Sequence, residues 1–120
     1  MIPPQSRSFS LAAAVLLLAG MVHNHLLKSD PAHGARLNSS PKEIRLWFAE
    51  RPEVALTSVT LMQADSTPIV SIKAVATPDS LVVSALLPTP LSPGSYLVRW
   101  RTASGDGHAV RGTFGFSISP

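Results

Sequence analysis

Turn-forming residues cut this chain into short pieces from residue 29 onward. The clusters "SDPAHG", "SSP", "ERP", "ADSTP", "TPDS", "PTPLSPG" and "SGDG" recur at short intervals along the sequence. Between them lie runs of five to eight residues that are rich in β-branched and alternating apolar side chains. No stretch after residue 26 sustains a period of 3.6, and most of the eleven prolines fall between the runs, where they oppose helices. Short strands separated by turns at this spacing predict an all-β domain, an antiparallel sandwich or barrel.

The runs show which side chains face inward. "EIRLWF" sets Ile44, Leu46 and Phe48 against Glu43, Arg45 and Trp47, and "TSVTLMQ" puts Val59 and Leu61 on one face. "IVSIKAVA" and "SLVVSALL" read as further strands, and "SYLVRWR" and "VRGTFGFSI" close the chain. "LLPTPLSPGSY" reads as a long connection whose prolines prevent edge pairing. Trp47, Phe48, Trp100, Phe114 and Phe116 are core candidates; a stacking platform for bases or sugars is the alternative use of these rings.

The first part of the 120 residues does not read as domain. "MIPPQSRSFS" carries one positive charge, Arg7, and is followed by the apolar run "LAAAVLLLAGMV". These have the lengths of the n- and h-regions of a secretory signal. The apolar run falls short of the ~20 residues of a spanning helix, and a buried helix would show a polar face that this run lacks. Residues 1–22 are therefore expected to be a signal peptide and residues 23–120 the mature domain. A cut before His23 leaves Val22 and Gly20 at the positions that prefer small residues; a cut after Gly20 is the alternative. No second hydrophobic span follows, so no membrane insertion of the mature chain is expected.

With no cysteine, neither a disulfide nor a thiolate ligand is available. The formal charge of +3 is scattered along the chain without a Lys/Arg cluster, which gives nucleic-acid binding little support.

Chemistry concentrates at two places. "HNH" puts His23 and His25 at the expected mature N-terminus, and "SGDGH" puts Asp106 and His108 between the last two strand runs. In extended backbone, residues i and i+2 point to the same side about 7 Å apart, so each pair can aim two donors at one point. Nitrogen and oxygen donors without sulfur suit Cu(II), Ni(II) or Zn(II), and a tetragonal arrangement favours Cu(II). By itself the spacing is equally that of a turn, with Asp106 bonding its own backbone and Gly105 and Gly107 supplying unusual dihedrals.

Taken together, these stretches resemble the CopC family of periplasmic copper-binding, copper-resistance proteins. The shared features are His23 eight residues before the proline of "SDPA", the following glycine, and P-x-x-I-x-L-x-F. L-x-x-G-x-Y-x-V-x-W, S-x-D-G-H and G-x-x-x-F complete the pattern toward the C-terminus. The resemblance implies an Ig-like Greek-key β-sandwich of about seven strands. It implies one Cu(II) per chain, held by the α-amine and imidazole of His23 with Asp106 and His108, and with His25 secondary. His33 falls in the family's P-A-x-G turn and reads as an ordinary turn residue. Only Met62 stands in for the methionine-rich Cu(I) loop of some members, so no dedicated Cu(I) site is expected.

The function that follows is a monomeric periplasmic Cu(II)-binding protein for copper resistance and homeostasis. It would sequester copper or pass it to a separate inner-membrane transporter, and it would not be an enzyme. A copper redox enzyme of the histidine-brace type is one alternative, although Asp106 would fill a position that oxygen needs. A metal-free Ig-like module is another; it would leave "HNH" and "GDGH" unexplained.

Overall fold

The computed structural model describes residues 24–104 and 106–120. The expected signal peptide, His23 and Gly105 lie outside the described residues. The strands are β1 (Leu26–Asp30), β2 (Ala35–Leu37), β3 (Glu43–Phe48), β4 (Ser58–Gln63), β5 (Pro68–Lys73), β6 (Val75–Ala76), β7 (Val82–Leu86), β8 (Gly94–Ala103) and β9 (Ala109–Ile118). They form two sheets, ordered β1-β3-β7-β6 and β2-β9-β8-β4-β5. All pairings are antiparallel except β2 with β9. A 3-10 turn spans Val54–Leu56, and no α-helix occurs among the described residues.

Alternation along the strands builds the layer between the sheets. Ile44, Leu46 and Phe48 on β3 are fully buried, as are Val59 and Leu61 on β4 and Val98 on β8. Trp100, Phe114, Phe116 and Ile118 close the core from the larger sheet. Phe48 of one sheet meets Trp100 of the other edge-on, with centroids 5.5 Å apart and planes at 72°, a favoured aromatic geometry. Tyr96 stacks on Phe116 and anchors the proline-rich connection by donating its hydroxyl to the Ser92 carbonyl.

The all-β sandwich expected from the turn spacing is what forms. Two details differ. "IVSIKAVA" is two strands in two sheets: β5 ends at Lys73, Ala74 donates its N–H to the Thr57 carbonyl (3.0 Å), and β6 continues in the other sheet. A buried small residue suits such a crossing. With β2 and β6, of three and two residues, the strands exceed the expected seven. Trp47, a core candidate, lies instead on the outer face of β3, where the Lys28 ammonium sits 4.4 Å from its ring centroid. The period of β3 points Trp47 to the opposite side from Phe48, and the inter-sheet layer lies on the Phe48 side.

β8 and β9 hold the longest ladder, ten pairs from Gly94↔Ile118 to Ala103↔Ala109 without a register shift. Gly112 faces Trp100 across this ladder, and a Cβ there would come within 2.7 Å of the indole ring. This rigid ribbon carries the connection from Ser104 to His108 at one end of the sandwich.

Candidate metal centre

The connection closes on itself. Ser104 donates its N–H to the His108 carbonyl (3.2 Å), and Gly107 donates to the Ser104 carbonyl (3.0 Å). Gly107 has φ +85°, a left-handed conformation that favours glycine. Asp106 then uses its two oxygens differently. Oδ1 accepts the His108 backbone N–H (3.0 Å) and the Ser104 hydroxyl, which is the turn role. Oδ2 lies 2.9 Å from His108 Nδ1. The turn role and the pairing with the His108 ring thus fall to different oxygens of one carboxylate.

The Ser104 hydroxyl, the His108 ring and the His108 N–H hold the Asp106 carboxyl well below the usual carboxylate range. An ionised carboxylate only accepts hydrogen bonds, so the proton between the pair sits on His108 Nδ1. Removal of that one proton leaves a two-donor N,O edge. At 2.9 Å the two groups are hydrogen-bonded to each other, so Nδ1 must turn from Oδ2 for both to bind one metal ion, and the metal then replaces that hydrogen bond. Both side chains are accessible, with relative exposures of 61% and 66% for Asp106 and His108.

The N-terminal segment is pinned at Asn24, a residue whose part is invisible in the sequence pattern. Its buried amide donates to the Glu50 carbonyl (2.9 Å) and accepts from the N–H of Glu50 (2.8 Å) and His25 (3.0 Å). The chain then runs on from Glu50 to Glu53, whose N–H bonds the Ala103 carbonyl at the end of β8 (3.1 Å). The segment after β3 thus links the start of the described chain to the root of the Ser104–His108 turn. His25 is exposed, tied through its carbonyl to Ala49 N–H (3.0 Å). Among the described residues, no three His, Asp or Glu side chains gather into a group that could hold a metal, so the turn offers a pair and a further donor must come from elsewhere.

His33 is more than a turn residue: its Nδ1 accepts the Gly115 N–H (3.1 Å) while Gly34 donates to the Gly115 carbonyl (2.7 Å), which clamps the turn to β9. Met62 is 1% exposed, inaccessible to a soft metal ion without rearrangement. The Ser104 partnership was legible in principle, since S-x-D-x-H puts both neighbours of the carboxylate two residues away. Asn24 offered no such signal.

Residues 26–119 match the CopC domain model. A copper resistance protein C of Xanthomonas campestris pv. juglandis is 32% identical over 116 residues, covering 90% of this chain and 89% of that protein. The crystal structure of CopC from Methylosinus trichosporium OB3b superposes with a TM-score of 0.74 at 29% identity, covering 82% of this chain and 95% of that one. PcoC, a methionine-rich copper resistance protein from Escherichia coli, gives a TM-score of 0.69 at 25% identity, covering 82% of this chain and all of PcoC.

Proposed function

Because the chain belongs to the CopC family of copper resistance proteins, we propose that it is an exported, monomeric Cu(II) carrier in which His23, Asp106 and His108 hold one copper ion. The observation that carries this reading is the Asp106–His108 pair, preformed at 2.9 Å on the β8–β9 ribbon. A preformed pair lowers the ordering cost of closing a site whose third residue lies about eighty positions away in sequence. Signal cleavage before His23 supplies an α-amine next to the His23 imidazole, and the two chelate together. His25 has a secondary role. Copper here is cargo, sequestered in the periplasm or handed to a separate inner-membrane transporter. Among the described residues no helix is long and apolar enough to cross a membrane.

The donor set determines the pH behaviour. An α-amine has an ordinary pKa of about 7.7–8.0, so copper must displace its proton and affinity falls as the medium is acidified. The Asp106 carboxylate is not limiting, because its neighbours keep it ionised well below that range.

The test is Cu(II) titration of the exported protein against a competing chelator, with the N-terminus fixed by intact mass. The expected result is one tight equivalent. Asp106→Asn, His108→Ala and a single residue added before His23 should each weaken it roughly 10–100-fold or more, the scale for lost metal partners. Unchanged affinity in all three would refute the site. An intact mass that retains Val22 at the N-terminus would refute the amine's part in it.

A further inference from the structure

Positive charge that is dispersed along the sequence is gathered by strand register. Lys73, Ser58, Arg101 and Arg111 form one row across β5, β4, β8 and β9. Ser71, Thr60, Arg99 and Thr113 form the next row. All four cations are exposed, and Arg36 on β2, opposite Ser117, extends the same face. Five of the ten Lys and Arg residues thus lie on the outer face of the larger sheet. All seven Asp and Glu residues lie elsewhere, on the other sheet or in connections.

No acid compensates these cations. The ion pairs among the described residues are Arg45 with Glu43 and His108 with Asp106. Arg101 and Arg111 are direct cross-strand partners, an arrangement in which like charges destabilise a sheet. Strands spaced about 4.8 Å and residues two apart at about 7 Å put Lys73, Arg99, Arg101 and Arg111 within an area of about 14 by 7 Å. That is comparable to the Debye length of about 8 Å at physiological salt, so the four act as one field.

We infer that this face is a docking surface for an acidic patch on a partner protein. Arginine pairs with carboxylates in two-point fashion, and a flat sheet face with alternating cations and hydroxyls matches an acidic protein surface. Membrane-surface binding ordinarily adds several apolar side chains that enter the interface; here the rows that hold the cations carry Ser58, Thr60, Ser71 and Thr113, and the large hydrophobic side chain exposed on β5 is Ile69 alone. The most basic row lies beside the candidate metal centre: Arg101 and Arg111 sit two ladder pairs from Ala103↔Ala109, where the Asp106–His108 turn begins. A protein seated there has its own ligands within reach of the copper. This last point rests on the copper-carrier reading; the docking face itself does not.

The test uses copper-free protein labelled with nitrogen-15, titrated with short poly-L-glutamate and, in parallel, with phosphatidylcholine vesicles containing phosphatidylglycerol. Glutamate should shift the amides of Thr60, Arg99, Arg101, Arg111 and Thr113, sparing β3 and β7, with affinity falling as salt is added. R101Q/R111Q should weaken this binding roughly tenfold or more, as expected for lost charge-assisted hydrogen bonds. The same variant should melt no lower than the parent and bind copper as the parent does. Shifts centred on the other sheet, or full binding by R101Q/R111Q, would overturn the surface. Binding to the anionic vesicles but not to glutamate would overturn the protein partner. Failure of copper binding in the parent would sink the carrier reading and leave the glutamate map standing.

Discussion

Gly112→Ala tests the ribbon that carries the candidate metal centre. An alanine Cβ would lie 2.7 Å from Trp100 Cε2 and Cζ2 and 2.8 Å from Nε1. Carbon atoms pack at about 3.5–4.0 Å, so the indole must retreat by roughly 1 Å. It has little room to do so, being 7% exposed and set edge-on against the fully buried Phe48. Overpacking of this kind costs about 1–3 kcal/mol. Gly112 has no left-handed φ, so alanine recovers about 0.4–1 kcal/mol through the unfolded chain. Taking the midpoints of the two ranges, the net loss is about 1.3 kcal/mol, or roughly 5–10 °C in Tm for a domain of this size. Thermal unfolding followed by far-UV circular dichroism measures it, and near-UV bands report the displaced Trp100. Trp100→Leu removes the obstructing ring, so in that background Gly112→Ala should cost less than half as much. An undiminished Tm in the single variant, or full additivity in the double, would refute the packing argument.

Three further outcomes are expected. Thr57 Oγ1 donates to the Glu53 carbonyl (2.7 Å), which also accepts the Leu56 N–H (2.9 Å), and pairs with Thr102 Oγ1 (2.7 Å) in the core; Thr57→Val therefore strands the buried Thr102 hydroxyl, whereas Thr102→Val leaves the Thr57 hydroxyl still donating to Glu53. Thr57→Val should cost about 1–3 kcal/mol and Thr102→Val about 1 kcal/mol by urea unfolding, and the reverse order would contradict the hydrogen-bond assignment. Glu43 accepts from Ser84 Oγ and from Arg45 Nε (2.9 Å), in that order of effect, and both lower its pKa. The stabilisation is therefore complete above the ordinary value of 4.5 and fades as pH falls through the lower folded value. Tm measured from pH 6 down to 3 should fall less steeply in Glu43→Gln than in the parent. Asn24→Ala strips the amide that ties His25 and Glu50 together, leaving two Glu50 backbone groups to find water. Hydrogen exchange at the Glu50 N–H should accelerate about tenfold or more, and weaker Cu(II) binding should accompany it if His23 is a ligand.

Some of this molecule was determined by local sequence. Period-two runs such as "EIRLWF" can bury only one face, and turn clusters between them leave few ways to pack except two sheets face to face. The D-G-H turn is equally local, because every bond that orients Asp106 comes from a residue two positions away. Such features survive reading one residue at a time. Pairings between distant segments do not. Nothing in "IVSIKAVA" announces that the chain changes sheets at Ala74, since both halves have the same β character and the change depends on Thr57. Asn24 looks like a spacer between two histidines until the Glu50 backbone, 26 residues on, is brought against it. The arginines and lysine that appear scattered along the chain become a single basic face only through the register of β5, β4, β8 and β9. Local pattern sets which way a side chain points, and only strand order and register set what it then faces.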